Sequence, residues 1–337
     1  MSSSDTLTRP LHDLRISVTD RCNFRCPYCM PAEIFGERYE FLPRQEILTF
    51  EEIERIARVC TDLGVSKVRV TGGEPLLRRE IESLIQSLSA IPGVADLTLT
   101  TNGSLLSDKA SALKAAGLHR ITISLDSIDQ KIFRLMAGRD ETPDVVLDAL
   151  KKADQAGLSP IKVNAVVIQG VNDHTFVDLA RYFHGSGHIV RFIEYMDVGN
   201  RNDWQLNHVV PADEIISRIN DVLPLEPIDA NYAGEVASRY RYKDGGGEIG
   251  VIASVTQPFC GDCTRLRLST DGKLFTCLFA SSGTDLRDFL RKGASDQDLR
   301  QRIESVWSKR NDRYSEIRTD KTSMGHLKKV EMYQIGG

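Results

Sequence analysis

What the 337-residue chain lacks bounds its class first. No apolar run approaches the ~20 residues needed to span a bilayer. The opening stretch from Met1 to Pro10 is polar and has no signal-peptide core. Together these absences predict no membrane partner and a cytoplasmic location, where disulfides rarely persist. Basic excess is missing too: 43 Lys and Arg stand against 47 Asp and Glu, a net charge of -4. A general nucleic-acid binder is basic overall, so no nucleic-acid partner is expected. A local basic pocket for a phosphorylated small molecule remains compatible with that balance. Low-complexity linkers are absent, so one compact unit is expected.

What is present is a strand–helix alternation through the first two thirds. Residues 14–19, 67–72, 97–102, 121–126, 161–168 and 189–196 read as six strands. Between them, Thr49-x-x-Glu52 is a capping box for a helix through Leu63. Thr142 and Pro143 read as N-cap and first turn of a helix reaching Ala156. Gly64, Gly117 and Gly157 each end a helix before a strand, which marks repeated βα units. Several strands look almost wholly apolar, as when both faces of a parallel sheet are covered. Six units are too few for an eight-fold barrel. An α/β fold with a partial (β/α)6 TIM-like barrel is therefore expected, with a doubly wound sheet as the alternative. Residues 1–197 form the barrel core in this reading, and 198–337 a smaller C-terminal cap.

Six of the seven cysteines fall into two triplets. One is Cys22-x3-Cys26-x2-Cys29; the other is Cys260-x2-Cys263 followed by Cys277. Each is one thiolate short of a closed zinc or iron–sulfur site. A cluster on three cysteines leaves one iron open, so two triplets suggest one site that starts chemistry and one that holds a substrate. A structural zinc site is the plainer alternative, but the next histidine downstream is His119. Cys60 shares a helical face with Ile53, Ile56, Ala57 and Leu63 and reads as core.

Parallel α/β folds carry their chemistry at the C-terminal ends of the strands. The first triplet follows the first strand at that end. Thr71-Gly72-Gly73-Glu74-Pro75 follows the second, where paired glycines let a ligand approach the backbone. Asp271-Gly272 signals a hairpin returning Cys277 toward Cys263. Two-residue pairing sets Cys277 opposite Leu266, away from Arg265 and Arg267; a bulge changes this. Arg265 and Arg267 share a strand face. That pattern fits an exposed edge or, beside an open cluster, an anion site.

CxxxCxxC with Tyr28 before its last cysteine resembles the signature of the radical S-adenosylmethionine enzymes. LRISVTDRCNFRCPYCMP, TGGEPLLR, LTTNG, ITISLDS and PFCGDCTRLRLSTDGKLFTCLF make the whole chain similar to the GTP 3',8-cyclase family of molybdenum-cofactor biosynthesis. That resemblance implies two [4Fe–4S] clusters, on Cys22, Cys26 and Cys29 and on Cys260, Cys263 and Cys277. It implies S-adenosyl-L-methionine held by Tyr28, Gly73, Ser124 and Met196. GTP contacts carried over are Arg15, Arg69, Thr100, Lys162, Arg265 and Arg267. The terminal Gly336 and Gly337 are implied to enter the active site in support of catalysis. The implied reaction removes the ribose 3' hydrogen of GTP and joins C3' to C8, giving 3',8-cyclo-7,8-dihydro-GTP. Further implications are an external electron donor, a functional link to cyclic pyranopterin monophosphate synthase, and a monomer or homodimer. A two-cluster enzyme that matures a peptide, a zinc-stabilised scaffold and an electron carrier are the competing readings.

Overall fold

The computed structural model describes residues 3–318 and 329–336. Six strands form where the βα pattern predicts them: β1 (Asp13–Ser17), β2 (Lys67–Thr71), β3 (Asp96–Thr101), β4 (Arg120–Ser124), β5 (Lys162–Val167) and β6 (Ile189–Glu194). They pair in chain order, all parallel. The region beyond β6 adds β7 (Leu225–Ile228), β8 (Ser238–Tyr242), β9 (Glu248–Ile252), β10 (Arg265–Leu268), β11 (Lys273–Phe275) and β12 (Thr284–Asp285). Strand β9 joins β6 and strand β10 joins β1, both parallel. Antiparallel β8 and β7 finish one edge, and antiparallel β11 and β12 finish the other. The twelve-stranded sheet runs from β12 to β7 without closing, a partial barrel. Residues beyond 197 thus reach both edges of the sheet.

The helices follow local rules. Thr49 and Glu52 form the expected capping box on the helix Phe50–Asp62. Gly64, Gly117 and Gly157 take positive φ of 115°, 99° and 76°. After each, the next amide bonds back five residues, as Val65 does to the Cys60 carbonyl, closing a Schellman turn into the next strand. One boundary differs. The helix Asp144–Gln155 takes Pro143 as its N-cap, and the Thr142 hydroxyl donates to Asp144 Oδ2 (3.4 Å) instead of capping.

The strands are also less uniformly apolar than expected. Leu14, Ile16, Val68, Val70, Leu97, Leu99, Ile121 and Ile123 are fully buried in the main core. The alternating positions Arg15, Arg69, Thr98 and Thr122 belong to the inner face instead. Only the outer face is sealed by helices. The inner face stays polar because it walls a cavity.

Hairpin register is the consequential correction. Arg267 pairs with Phe275 and Leu268 with Leu274. The loop is therefore the three residues Thr270, Asp271 and Gly272, with Gly272 at φ 81°. This one-residue change from a two-residue turn moves each following side chain to the opposite face. Continued, the register sets Cys277 against Arg265 rather than Leu266, and Cys277 lines the inner cavity with both arginines. A Cβ on Gly272 would meet the Arg287 Cβ at 2.6 Å and Leu48 Cδ2 at 2.9 Å. Gly272→Ala is expected to cost about 1–3 kcal/mol, read as a lower denaturant midpoint; an unchanged midpoint would remove the turn from this account.

Candidate active site

The cavity lies inside the sheet. Arg15, Arg69, Thr100, Asn164, Arg191, Arg265 and Arg267 line it from the strands, and Cys260, Cys263, Cys277 and Arg310 from the C-terminal region. Register explains the row of charge: Arg267, Arg15 and Arg69 are cross-strand neighbours on β10, β1 and β2. None of Arg15, Arg69, Arg191, Arg265 and Arg267 pairs with a carboxylate among the described residues. The nearby acids are engaged elsewhere, Asp13 with Lys67 and Asp96 with Arg120. Neutral groups take their place. Arg69 donates to Thr100 Oγ1 (2.7 Å) and Thr122 Oγ1 (3.1 Å), and Arg191 to Asn164 Oδ1 (2.9 Å). Burial, and then the neighbouring guanidinium groups, pull Arg15 and Arg69 each down to about 9 and Arg191 to about 10. The wall is thus starved of negative charge.

Lys162 sits apart from that wall, near Glu235 (3.9 Å). Its ammonium is pulled down to about 7, first by burial and then by Arg191 and Arg120.

The first triplet lies on the loop leaving β1. Cys22 Sγ accepts from the Phe24 amide (3.4 Å) and lies 3.9 Å from Asn102 Nδ2 at the end of β3. Burial, then Glu74, pushes the Cys22 thiol up to about 11; Cys26 and Cys29 are pushed higher. Such thiols ionise when a metal supplies the missing positive charge. Among the described residues no three Cys, His, Asp or Glu side chains converge at the spacing of a single ion. An all-thiol set spread along a loop fits a polynuclear iron–sulfur cluster better than a lone zinc. Gly72 and Gly73 support this loop in a way the sequence reading did not foresee. A Cβ on Gly72 would meet the Thr19 carbonyl oxygen at 2.7 Å, and one on Gly73 would collide with the Arg21 carbonyl. The glycines therefore admit the cysteine loop's own backbone. Glu74 ties the loops together, accepting from the Leu76 and Asn102 amides (3.0 and 2.8 Å) and the Thr101 hydroxyl (2.7 Å). Tyr28 donates to Asp126 Oδ2 (2.8 Å) across the same end of the barrel. Ser124 ends β4, and Met196 lines the cavity.

The second triplet differs electrostatically. Burial raises the Cys263 thiol, but Arg265 and Arg310 outweigh it and bring the group down to about 6. Arg265 donates to Cys263 Sγ (3.4 Å). Buried Arg310 donates to the Cys263 carbonyl (2.6 Å), and Arg9 to the Cys260 carbonyl (2.7 Å). Burial pushes the Cys277 thiol up to about 11. Arg267 donates to the Gly336 carbonyl; Gly337 lies outside the described residues.

Arg191, Asn164 and Arg310 were missed by sequence reasoning. Arg15 and Arg69 came from the family resemblance, and Arg191, a charge in a mostly apolar strand like them, lay outside the segments that carried it. Cys60 is fully buried in the core, as expected.

A family model of the Radical SAM superfamily matches residues 16–183, and one of Molybdenum Cofactor Synthesis C matches residues 188–316. The fold resembles Streptococcus suis SuiB bound to S-adenosylmethionine, at TM-score 0.61 and 18% identity over 96% of this chain and 72% of that one. Fold, cysteine loop and family model together define a radical S-adenosylmethionine enzyme. Its sequence is 53% identical to the GTP 3',8-cyclase of Acidothermus cellulolyticus, covering 99% of this chain and 98% of that one. Identity to the GTP 3',8-cyclase of Staphylococcus carnosus is 49%, and to that of Staphylococcus aureus 47%, with the same coverage. The chain belongs to the GTP 3',8-cyclase family.

Gly73→Ala is expected to push the cysteine loop outward. In metal-free protein, alkylation of Cys22, Cys26 and Cys29 should speed up while Cys60 stays unreacted; unchanged rates would show that the loop tolerates the methyl.

Proposed function

We propose that this chain cyclises GTP to 3',8-cyclo-7,8-dihydro-GTP, an early step toward the molybdenum cofactor, inside the partial barrel. The observation that carries the reading is the wall of arginines, Arg69 and Arg267 buried and Arg15, Arg191 and Arg265 half-buried, without carboxylate partners among the described residues and facing three thiols. Burying like charges is unfavourable unless an anion joins them, and a triphosphate is such an anion. Arg15, Arg69, Lys162, Arg265 and Arg267 are the cations assigned to it, with Thr100 as a neutral contact; Arg191 joins them. Guanine is assigned to the side of Cys260, Cys263 and Cys277, which hold the second [4Fe–4S] cluster in this reading. Cys22, Cys26 and Cys29 hold the first, and Tyr28, Gly73, Ser124 and Met196 contact S-adenosyl-L-methionine. When bound, that cluster and S-adenosyl-L-methionine supply the one-electron chemistry that removes a ribose hydrogen atom.

The chain's own residues then do the positioning. Fixing both ends of the nucleotide holds the 3' carbon near C8 and lowers the entropy cost of ring closure. Gly336 supports a role for the tail, since its carbonyl accepts from Arg267 and a Cβ there would collide with Thr71; Gly337 is read as acting with it. We read 1–197 as the radical core and 198–337 as the part that completes the substrate site. A cytoplasmic enzyme using an external electron donor, as monomer or homodimer, and delivering product to cyclic pyranopterin monophosphate synthase completes the reading.

The test is anaerobic incubation of the reconstituted protein with S-adenosyl-L-methionine and reductant, with and without GTP. GTP-dependent 5'-deoxyadenosine matched by a cyclised nucleotide is expected; deoxyadenosine indifferent to GTP would overturn the substrate assignment. Replacing Cys22, Cys26 or Cys29 by alanine should abolish deoxyadenosine. Replacing Cys260, Cys263 or Cys277 should stop GTP conversion and leave slow uncoupled cleavage. Wild-type turnover in any of the six would refute the assigned roles.

Lys162 also sets a pH dependence. Its free-enzyme value is about 7, and a bound phosphate raises it. Binding strength is then fully present below that value and is lost as pH rises through it. The KM for GTP should rise by up to about tenfold per unit above neutrality, and Lys162→Met should flatten that slope. Equal slopes in both proteins would show that Lys162 does not meet the phosphates.

A further inference from the structure

Beneath the arginine wall, three carboxylates face the barrel's cations from its floor. Asp13 and Asp96 sit on strands and are tightly fastened. Asp13 Oδ2 accepts from Thr264 (2.7 Å) and lies 3.2 Å from His12 Nδ1, while Oδ1 pairs with Lys67 (3.3 Å). Asp96 receives Nε (2.8 Å) and a second nitrogen of Arg120. Glu235 is different. It lies on the connection between β7 and β8, and its ion pair to Lys162 spans 3.9 Å, although both side chains are largely buried (6% and 14% exposed). Its hydrogen bonds come from Asn231, whose amide donates at 2.7 Å and whose side chain donates at 3.2 and 3.3 Å. Its own amide bonds back to the Tyr232 carbonyl (3.2 Å), so residues 231–235 form a turn, which Tyr232 anchors to Lys67 and His12.

We propose that Glu235 is a displaceable counter-ion for Lys162, neutralising the ammonium in the free enzyme and yielding that position to a substrate phosphate. The proposal rests on the reading of Lys162 as a phosphate contact. A phosphate oxygen in a charge-assisted hydrogen bond approaches to about 2.8 Å, closer than this carboxylate does. Coulomb attraction grows as the distance shrinks, and the phosphate carries more charge. Asp13 and Asp96 cannot yield in the same way, because each sits on a strand and holds its cation, Lys67 or Arg120, in a closer ion pair than Glu235 makes. Asn231 gives the released carboxylate a neutral partner, so the exchange does not strand a buried charge. Glu235 also feels Arg191, which lines the cavity wall, so its departure raises the positive charge offered to the nucleotide. A nucleoside without phosphate brings nothing to displace it. In this way the turn favours phosphorylated substrate over guanosine.

The experiment is calorimetric titration of the cluster-loaded enzyme with GTP and with guanosine, in wild type, Glu235→Gln, Lys162→Met and the double variant. Glu235→Gln is isosteric and keeps an acceptor for Asn231. It should tighten GTP about fivefold and leave guanosine unchanged. In the Lys162→Met background the same substitution should have no effect. Unchanged or weaker GTP binding, or equal tightening with Lys162 absent, would overturn the proposal. Should Glu235→Gln fail to fold, Glu235→Asp, which retracts the carboxylate by one methylene, must shift GTP binding in the same direction. If Lys162→Met alone leaves GTP affinity untouched, the phosphate reading of Lys162 fails and the proposal falls with it. If Lys162→Met weakens GTP while Glu235→Gln changes nothing, the proposal alone fails.

Discussion

Burial of like charge governs this structure. Arg15, Arg69, Arg191, Arg265 and Arg267 share one interior, and the nearby carboxylates are spent on Lys67, Arg120 and Lys162. Hydroxyl and amide oxygens of Thr100, Thr122 and Asn164 hold two of these guanidinium groups without neutralising them. A protein selected for stability alone would not keep such an arrangement, because each buried cation costs free energy until an anion arrives. The apolar outer face, packed on helices, offsets that cost. The inner face is thereby free to serve binding.

Chain topology puts the second thiol triplet at this interior and the first on the loop leaving a strand of the same wall. Cys22, Cys26 and Cys29 follow β1, while β10 runs beside β1 and brings Cys260 and Cys263 to the same wall. A parallel contact between strands about 250 residues apart makes the last third of the chain part of the site rather than an appendage. The three-residue turn at Gly272 then decides which face Cys277 takes. One residue of register separates a thiol lining the cavity from one turned away.

Much of this was legible in the sequence, for identifiable reasons. Alternating βα units, three helix-ending glycines and the Thr49 capping box are local signals, and they give the six central strands within a residue or two. Arg15 and Arg69 came from the family resemblance, and their strand positions then required an anionic partner. Arg191 sits likewise in a strand and was overlooked because it lies outside the segments that carried the resemblance. Arg310 carries no local signal, since its place beside Cys263 comes from tertiary packing. The hairpin register was open because Asp-Gly suits both two- and three-residue loops. The glycines of Thr71-Gly72-Gly73-Glu74 were read as ligand contacts, and the backbone path adds a second demand, since the cysteine loop fills the space a Cβ would take. The participation of β9 and β10 in the parallel sheet was hidden for the same reason: long-range pairing leaves little trace in local pattern.

The central claim is that the cavity's arginines and the second thiol triplet form one GTP site. An anaerobic crystal structure of the cluster-loaded protein with GTP tests it most directly. The account predicts triphosphate oxygens within hydrogen-bond distance of Arg15, Arg69 and Arg267, and guanine beside Cys260, Cys263 and Cys277. A triphosphate lying in solvent, with those arginines still facing only Thr100, Thr122 and Asn164, would contradict it.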